Sequence, residues 1–537
     1  MSDVFGCLLI SGIRQSPDAD ASCAIKEARR RLRGVHLLSE GMQLSVYKRS
    51  VDARDPGGVR LVYTVAAKGN VPAVLPEGLD GISLVKEAEP VPTVGEKPLS
   101  ERPVIVGSGP CGLFCALLLA EQGYRPILLE RGGDVAERRA AYRRFIEEGV
   151  LDLDTNIQFG AGGAGTFSDG KLVTRIRDPF GAYVLKTFVR FGAPEEILTL
   201  AKPHIGTDIL GTVVSNIIKE IKRCGGEVLM HTTLEALSLK GDVLTSVLTT
   251  RGEIKAGALV LAIGHSARDT YEMLLSRGFS IEPKAFSVGM RIEHLQEDID
   301  RAMYGRYAGH PALGHAEYTL SSDTKTRGVY TFCMCPGGEV MAAASEEGGV
   351  VVNGMSYHAR DGKNANSAVL ATVFREDYGN TPRDAIAFQR KIERAAFLAA
   401  GADYRAPIVT VGDFLNGEVK KEPSRILPTY REGRVSLVSP DTYLPKVYTD
   451  AIRRALGRFG KTLSGFDTPD AILTGAETRT SAPLRILRTE AYTALGYQNI
   501  YPAGEGAGYA GGITSAAVDG IRTALALMKK YKPYGNS

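Results

Sequence analysis

The sequence predicts an α/β architecture: a parallel-sheet nucleotide-binding domain built from separated segments, an inserted α+β domain, and a small N-terminal α+β domain. Three observations predict it. A buried strand, a glycine loop and a helix follow one another from Pro103. Strands and helices then alternate to about Arg268, the pattern of a parallel sheet covered on both faces. The end of the chain, from Asn499, returns to strand, glycine loop and helix. With 537 residues, 44% hydrophobic and 23% charged, the chain has material for several folded units and no signature of disorder.

In chain order, residues 1–92 read as the N-terminal domain, with an apolar strand at Phe5 to Ile10, a helix around Ile25, and strands near Gln43 to Tyr47 and Val59 to Ala66. Lys26, Arg29, Arg30, Arg31 and Arg33 share that helix with Ile25, Ala28 and Leu32 at core spacing, the pattern of a solvated helix face. Pro90, Pro92, Pro98 and Pro103 favour an extended linker. Residues 103–285 read as the first part of the nucleotide-binding domain and 286–485 as the insertion. There, strand follows strand from Phe286 to Tyr357 and helices come next, the clearest opening at Thr381 as N-cap with Pro382 at N1 and closing before Gly401. Residues 486–537 re-enter the first domain.

Three GxGxxG matches start at Gly107, Gly160 and Gly506, and context separates them. Around the first, Val104 to Val106 form a strand, and Leu113, Ala116, Leu117 and Ala120 follow at helical spacing. Gly107 allows the tight turn, Gly109 lets backbone N–H groups approach a pyrophosphate, and Gly112 permits close packing of helix on strand. Glu130 ends the next strand, 23 residues after Gly107, where a carboxylate can accept hydrogen bonds from ribose hydroxyls. This is a complete Rossmann-type unit. The second match, within FGAGGAGTFSDGKL, has no flanking strand or helix; it reads either as a ligand loop presenting Gly163, Thr166, Ser168 and Lys171 or as a flexible loop. The third has a strand and a helix but no room for a second strand with its acid, so it is expected to point the helix start at Gly511 and Gly512 toward a ligand held by the first. The strand LVLAIG, running into Gly264, is expected to close the pocket. No second Rossmann unit for a nicotinamide is expected.

Taken together, these segments resemble FAD-binding flavoproteins of the glutathione-reductase-like superfamily. The phrases KRSVDAR, GTFSDGKL, GHSARD, YTFCMCPGG and ETRTSAP resemble, more closely, the bacterial FAD-dependent dehydrogenase family. The resemblance implies a non-covalent FAD with Gly107, Gly109, Pro110 and Gly112 on the pyrophosphate, Glu130 on the adenosine ribose, Arg131 near the adenine edge and the Leu234 backbone on the adenine. Gly504 and Glu505 would meet the pyrophosphate and ribityl chain, with Gly511, Gly512, Ile513 and Thr514 beneath the flavin. Glu505 stands where the superfamily usually has Asp.

A flavin supplies the redox chemistry, so the function expected is two-electron oxidation or reduction of a small molecule, with electrons exchanged through NAD(P)H at the flavin face or a protein partner. The alternative is a flavin-containing RNA-associated or tRNA-modification protein whose N-terminal domain recruits its partner. Candidate catalytic residues are Cys333, Cys335, His265 and His358; lone histidines equally suit a core or polar role. Arg479, Arg485 and Arg488 suit either a carboxylate clamp or surface ion pairs. Strand alternation puts Cys333 and Cys335 on one face, open to either packing or a redox role, and both are expected to be thiols with Cys335, nearer the turn, the more reactive. The net charge of +4 argues against DNA binding, seven scattered cysteines form no zinc pattern, no metal is expected, and the absence of a leader or long apolar run suits a cytoplasmic protein without membrane insertion.

Overall fold

Five short strands lie parallel in the order Ile500–Pro502, Ala258–Leu261, Pro103–Val106, Ile127–Leu129, Glu227–Leu229. Four of them are apolar almost throughout, as strands covered on both faces must be. The last segment of the chain thus completes the sheet begun at Pro103. The computed structural model describes residues 6–72, 74–85, 88–174, 176, 178–324 and 327–535. Helix Pro110–Glu121 follows the central strand and buries every residue from Cys111 to Ala120. It packs between helices Thr207–Arg223 and Ile513–Lys530, so apolar residues all round it are required rather than a single stripe.

The chain leaves this domain at strand Ile281–Pro283 and returns at Leu484–Ile486, and the two strands pair antiparallel. Between them lies a seven-stranded sheet in the order Ser321–Thr324, Arg327–Cys335, Asn364–Val373, Phe286–Leu295, Ile472–Glu477, Ala406–Thr410, Val435–Leu437. Its centre, Asn364–Val373 against Phe286–Leu295, is an unbroken antiparallel ladder. The sequence pattern placed helices after Tyr357 and missed this strand, whose first half reads polar. Several of these polar groups find partners inside the core: the Asn364 amide donates to Glu293, the Asn366 Oδ1 accepts from Arg291, and Ser367 bonds to Tyr318, while the Asn366 Nδ2 has no partner. Helix Pro382–Ala399 starts as expected, with a reciprocal capping box between Thr381 and Asp384.

The N-terminal strands Gln43–Asp52, Arg60–Lys68, Cys7–Gln15 and Ile82–Val85 form a four-stranded sheet in that order, covered by helix Ala21–Gly34. Phe5, where the sequence reading begins the first strand, lies outside the described residues. Leu8, Ile10, Leu32 and Val65 join the same apolar core as Val288, Met290 and Ile452 of the insertion. The Arg49 amide also donates to Thr199 O at 2.7 Å, and Ala201 N to Arg49 O at 2.8 Å. The proline-rich linker is less free than its composition suggests, because Lys97–Pro98 pairs with Tyr531–Lys532 and Gly95 N donates to Met528 O. No helix among the described residues is long and apolar enough to cross a membrane.

Candidate active site

A cavity of about 360 Å³ opens at the carboxyl ends of the parallel strands, where Val106, Glu130 and Ala262 to Gly264 emerge from three of them. Ligands of open α/β sheets bind in this position. Two helices begin at its wall: Pro110–Glu121 with N-cap Gly109, and Ile513–Lys530 with N-cap Gly512, neither capped by a side chain. Their first N–H groups and partial positive charge are available to an anion.

The first glycine loop divides its labour. Gly107 has φ +98°, and a Cβ there would overlap the Ala262 carbonyl oxygen. Gly109 faces the cavity, with only Gly163 Cα at 3.9 Å from the place a Cβ would take. Gly112, placed on the pyrophosphate by resemblance, instead stands behind the wall, where a Cβ would overlap the Gly107 carbonyl oxygen; its smallness serves the close helix packing. Two other expected contacts also lie behind the cavity wall. The Gly504 amide donates to Asp519 at 2.7 Å, and the Thr514 hydroxyl donates to Leu172 O at 2.8 Å. Pro110, Arg131, Gly163, Ser168, Lys171, Leu234, Gly264, Glu505, Gly511, Gly512 and Ile513 all line the cavity.

Glu130 lines it too, yet its carboxylate is already engaged. One oxygen accepts from Ser108 N (2.9 Å) and Ser108 Oγ (2.6 Å), the other from Gly132 N (3.1 Å) and Gly160 N (2.8 Å). These four bonds tie the second glycine loop to the first, so a ribose hydroxyl there would share oxygens with the loop. Arg131 stacks over Phe159 at 4.4 Å and pairs with Asp269 at 2.7 Å.

The loop around Gly160 is a built wall rather than a flexible segment, and its organiser carries no motif that sequence reading could find. Fully buried Arg138 donates to the carbonyls of Asn156 (3.0 Å), Ile157 (2.8 Å), Ala161 (2.6 Å) and Gly163 (3.0 Å) and stacks on Phe167 at 4.6 Å. Arg138→Met is expected to strand these acceptors and lower stability by about 2–4 kcal/mol, with roughly tenfold weaker cofactor retention. Thermal melts and flavin released on gel filtration check both effects; a variant that melts and holds flavin like the wild type would contradict them.

Beyond this loop the wall is charged. Lys171 pairs with buried Asp169 at 2.6 Å, and Arg360 holds the same carboxylate at 2.6 Å and Glu317 at 2.6 Å. Burial alone would lower the Lys171 ammonium; Asp169 and Glu317 reverse that and keep it charged. Glu477, another residue the sequence reading did not single out, faces the cavity from the end of its strand and accepts two bonds of 3.1 Å from Arg291, which is wholly buried. Burial pushes the Glu477 carboxyl up to about 7 against the pull of Arg291. Burial likewise raises the Glu505 carboxyl to about 7, with Lys284 opposing.

Of the candidate proton handlers, His265 lines the cavity but is held neutral, its imidazole lowered to about 3 by burial and by Arg479 and Arg268. His358 lies outside, against a second cavity beside His204. The three arginines are engaged by protein groups, and of them Arg479 lines the cavity. Arg479 is locked on Glu393 (2.9 Å) and Arg488 on Asp519 (2.7 Å), both as buried pairs; Arg485 lies over Tyr509. Cys333 lines the cavity while Cys335, expected to be the more reactive, is fully buried. The alternation argument fails because a β-bulge intervenes: Phe332 pairs with Ala368 and Cys335 with Asn366, so three steps on one strand oppose two on the other. Both are free thiols.

Residues 285–480 match a family model described as FAD-dependent protein, C-terminal domain-like, and residues 105–166 match an NAD(P)-binding Rossmann-like domain. An uncharacterized protein of Clostridium beijerinckii is 45% identical over 496 residues, covering 91% of this chain and 93% of that protein. The chain belongs to the same family as that protein, and its residues 285–480 carry the FAD-dependent C-terminal-like domain. Its cofactor is FAD. Solved structures with similarity include L-amino acid deaminase from Proteus vulgaris, 14% identical with TM-score 0.33 over 82% of this chain and 96% of that one. Glycine oxidase from Bacillus cereus is 11% identical with TM-score 0.32 over 81% and 99%.

The residues present fit that cofactor. Glycines leave bare backbone on both sides at Gly109 and Gly163, two uncapped helix starts offer N–H groups for a pyrophosphate and for an electron-rich ring, and the cavity continues past them to polar side chains of the insertion.

Proposed function

We propose that the protein is an FAD-dependent oxidoreductase in which a non-covalent flavin in this cavity exchanges two electrons with a small molecule. One observation carries the reading: a single cavity is walled by the glycine loops of the nucleotide-binding domain and by Cys333, Asn353 and Glu477 of the insertion. FAD when bound supplies the electron-accepting ring. Around it, the start of helix Ile513–Lys530 favours negative charge, and Lys171 presents a cation to an anionic substrate group. Glu477 holds or moves a proton near neutral pH, and Arg291 keeps its carboxyl oriented. By resemblance, Gly109 and Pro110 approach the pyrophosphate and Leu234 the adenine. Electrons reach the flavin from the substrate, from NAD(P)H at the flavin face, or from a protein partner.

The RNA-recruiting alternative is not favoured, since the N-terminal sheet spends its core on the insertion and the backbone of Arg49 on Thr199 and Ala201. The discriminating experiment is anaerobic mixing of the holoprotein with a panel of metabolites while the flavin absorbance is followed. Bleaching by one chemical class is expected. No bleaching by any of them, together with salt-dependent binding of tRNA, would overturn the reading.

Glu477 also sets a pH dependence. Its folded-state value lies above the ordinary carboxylate value, so its contribution to stability is full below about pH 4.5 and is lost as pH rises through about 7. The loss is on the order of 3 kcal/mol. Glu477→Gln should lack it, so the melting temperature of the wild type minus that of the variant should fall between about pH 5 and pH 8. Parallel profiles would show that Glu477 does not titrate there.

A further inference from the structure

Cys333 and Cys335 sit where the insertion meets the cofactor cavity, and their geometry exceeds what packing requires. In a regular strand, residues two apart have Cα atoms roughly 6.7 Å from each other, at the upper edge of what a disulfide spans. Here the strand is not regular. The bulge places one extra residue between Phe332 and Cys335, and Cys333 itself takes φ +45°, a left-handed conformation that residues with a side chain seldom adopt. The regular alternation, with its fixed spacing, does not hold between the two cysteines. The Cys335 thiol donates to the Cys333 carbonyl oxygen at 3.3 Å.

The two thiols have different surroundings. Cys333 faces the cavity beside Phe332, whereas Cys335 is completely buried behind it. Arg291 spans both, donating to Cys333 O at 2.6 Å and approaching Cys335 Sγ at 3.9 Å, and Lys171 adds a second positive charge. The Cys335 side chain, with Lys171 and Arg291, holds the Cys333 thiol below its ordinary value, while Cys333 and burial push Cys335 up. One accessible thiolate backed by one buried thiol is the arrangement of an attacking and a resolving sulfur.

We propose that Cys333 and Cys335 are a redox dithiol that exchanges two electrons with the flavin, Cys333 meeting the cofactor cavity and Cys335 closing the bridge. The proposal rests on the cavity being the FAD site. In the oxidising direction the Cys333 thiolate and the Cys335 thiol become one S–S bond, releasing one proton and two electrons, all of which the oxidised flavin takes up. In the other direction reduced flavin returns them and the bond opens. The pair therefore stores two electrons beside the ring.

The test uses the holoprotein. Flavin content is measured first, so a colourless protein would count against the FAD site itself and be recognised as such. The protein is then oxidised with diamide, desalted and titrated anaerobically with dithionite while free thiols are counted and peptides are mapped by mass spectrometry. The wild type is expected to take up four electrons per chain, two for flavin and two for the bridge, and to show a Cys333–Cys335 peptide lighter by two hydrogens. Cys333→Ser, Cys335→Ser and Cys335→Ala, the last keeping the buried site apolar, are expected to take up two with the flavin spectrum retained. A wild type that takes up two electrons with both thiols still alkylated, or one whose bridge forms but survives full flavin reduction, overturns the proposal.

Discussion

Gly109→Val should purify folded and colourless. The position faces the cavity, and the nearest atom to a new Cβ is Gly163 Cα at 3.9 Å, so the backbone tolerates the branch while the space for a pyrophosphate does not. Retention of FAD should fall at least about a hundredfold, which corresponds to roughly 2.7 kcal/mol. Gly112→Val is the control with the opposite cause. Its Cβ would overlap the Gly107 carbonyl oxygen inside fully packed structure, so loss of flavin there should accompany loss of the fold. Circular dichroism and the flavin-to-protein ratio separate the two. A yellow, stoichiometric Gly109→Val protein would remove the first glycine loop from the cofactor site.

Glu393→Ala should be the most damaging change away from the cavity. Its carboxylate accepts from Arg268 at 2.8 Å on both oxygens, from Arg479 at 3.0 and 2.9 Å, and from the Thr478 hydroxyl at 2.7 Å, all buried. Arg268 comes from the nucleotide-binding domain, and Glu393 and Arg479 from the insertion, so one carboxylate fastens the two across the cavity rim. Glu346 contacts the same guanidiniums, but from a more exposed position. Removing Glu393 leaves two guanidiniums without their buried partner, at a cost of about 3–5 kcal/mol and a fall in Tm of roughly 3–5 °C. Burial alone would raise the Glu393 carboxyl; the two guanidiniums hold it well below the usual range. Its stabilisation is therefore present at neutral pH and lost only as pH falls through that depressed value, so the variant's deficit should be constant from pH 6 to 8 and shrink only in strong acid. A variant melting within 2 °C of the wild type would show that Glu346 suffices.

What sequence reading could see was what local spacing encodes. The strand, Gly107, Gly109 and Glu130 stand within one short stretch whose periodicity is intact, and Thr381 with Pro382 marks a helix start by the same local chemistry. What escaped it depends on distant partners. The first half of Asn364–Val373 looks polar until Glu293, Arg291 and Tyr318 are brought to it, and Arg138 is an ordinary helix arginine until four carbonyls of residues 156–163 surround it. The cysteines mislead for a different reason: alternation presumes an unbroken ladder, and the bulge against Ala368 and Asn366 lies in the pairing rather than in the phrase YTFCMCPGG. Glu477 could have been noticed as the acid opening ETRTSAP, though nothing there announces Arg291, 186 residues earlier in the chain.

The most direct test of the account is the crystal structure of the FAD-loaded protein. It should show the pyrophosphate against Gly107, Gly109 and the start of helix Pro110–Glu121, with the flavin ring between Ile513 and the wall formed by Lys171, Cys333 and Glu477. A flavin ring turned away from the insertion, or FAD bound in the second cavity beside His204 and His358, would contradict it.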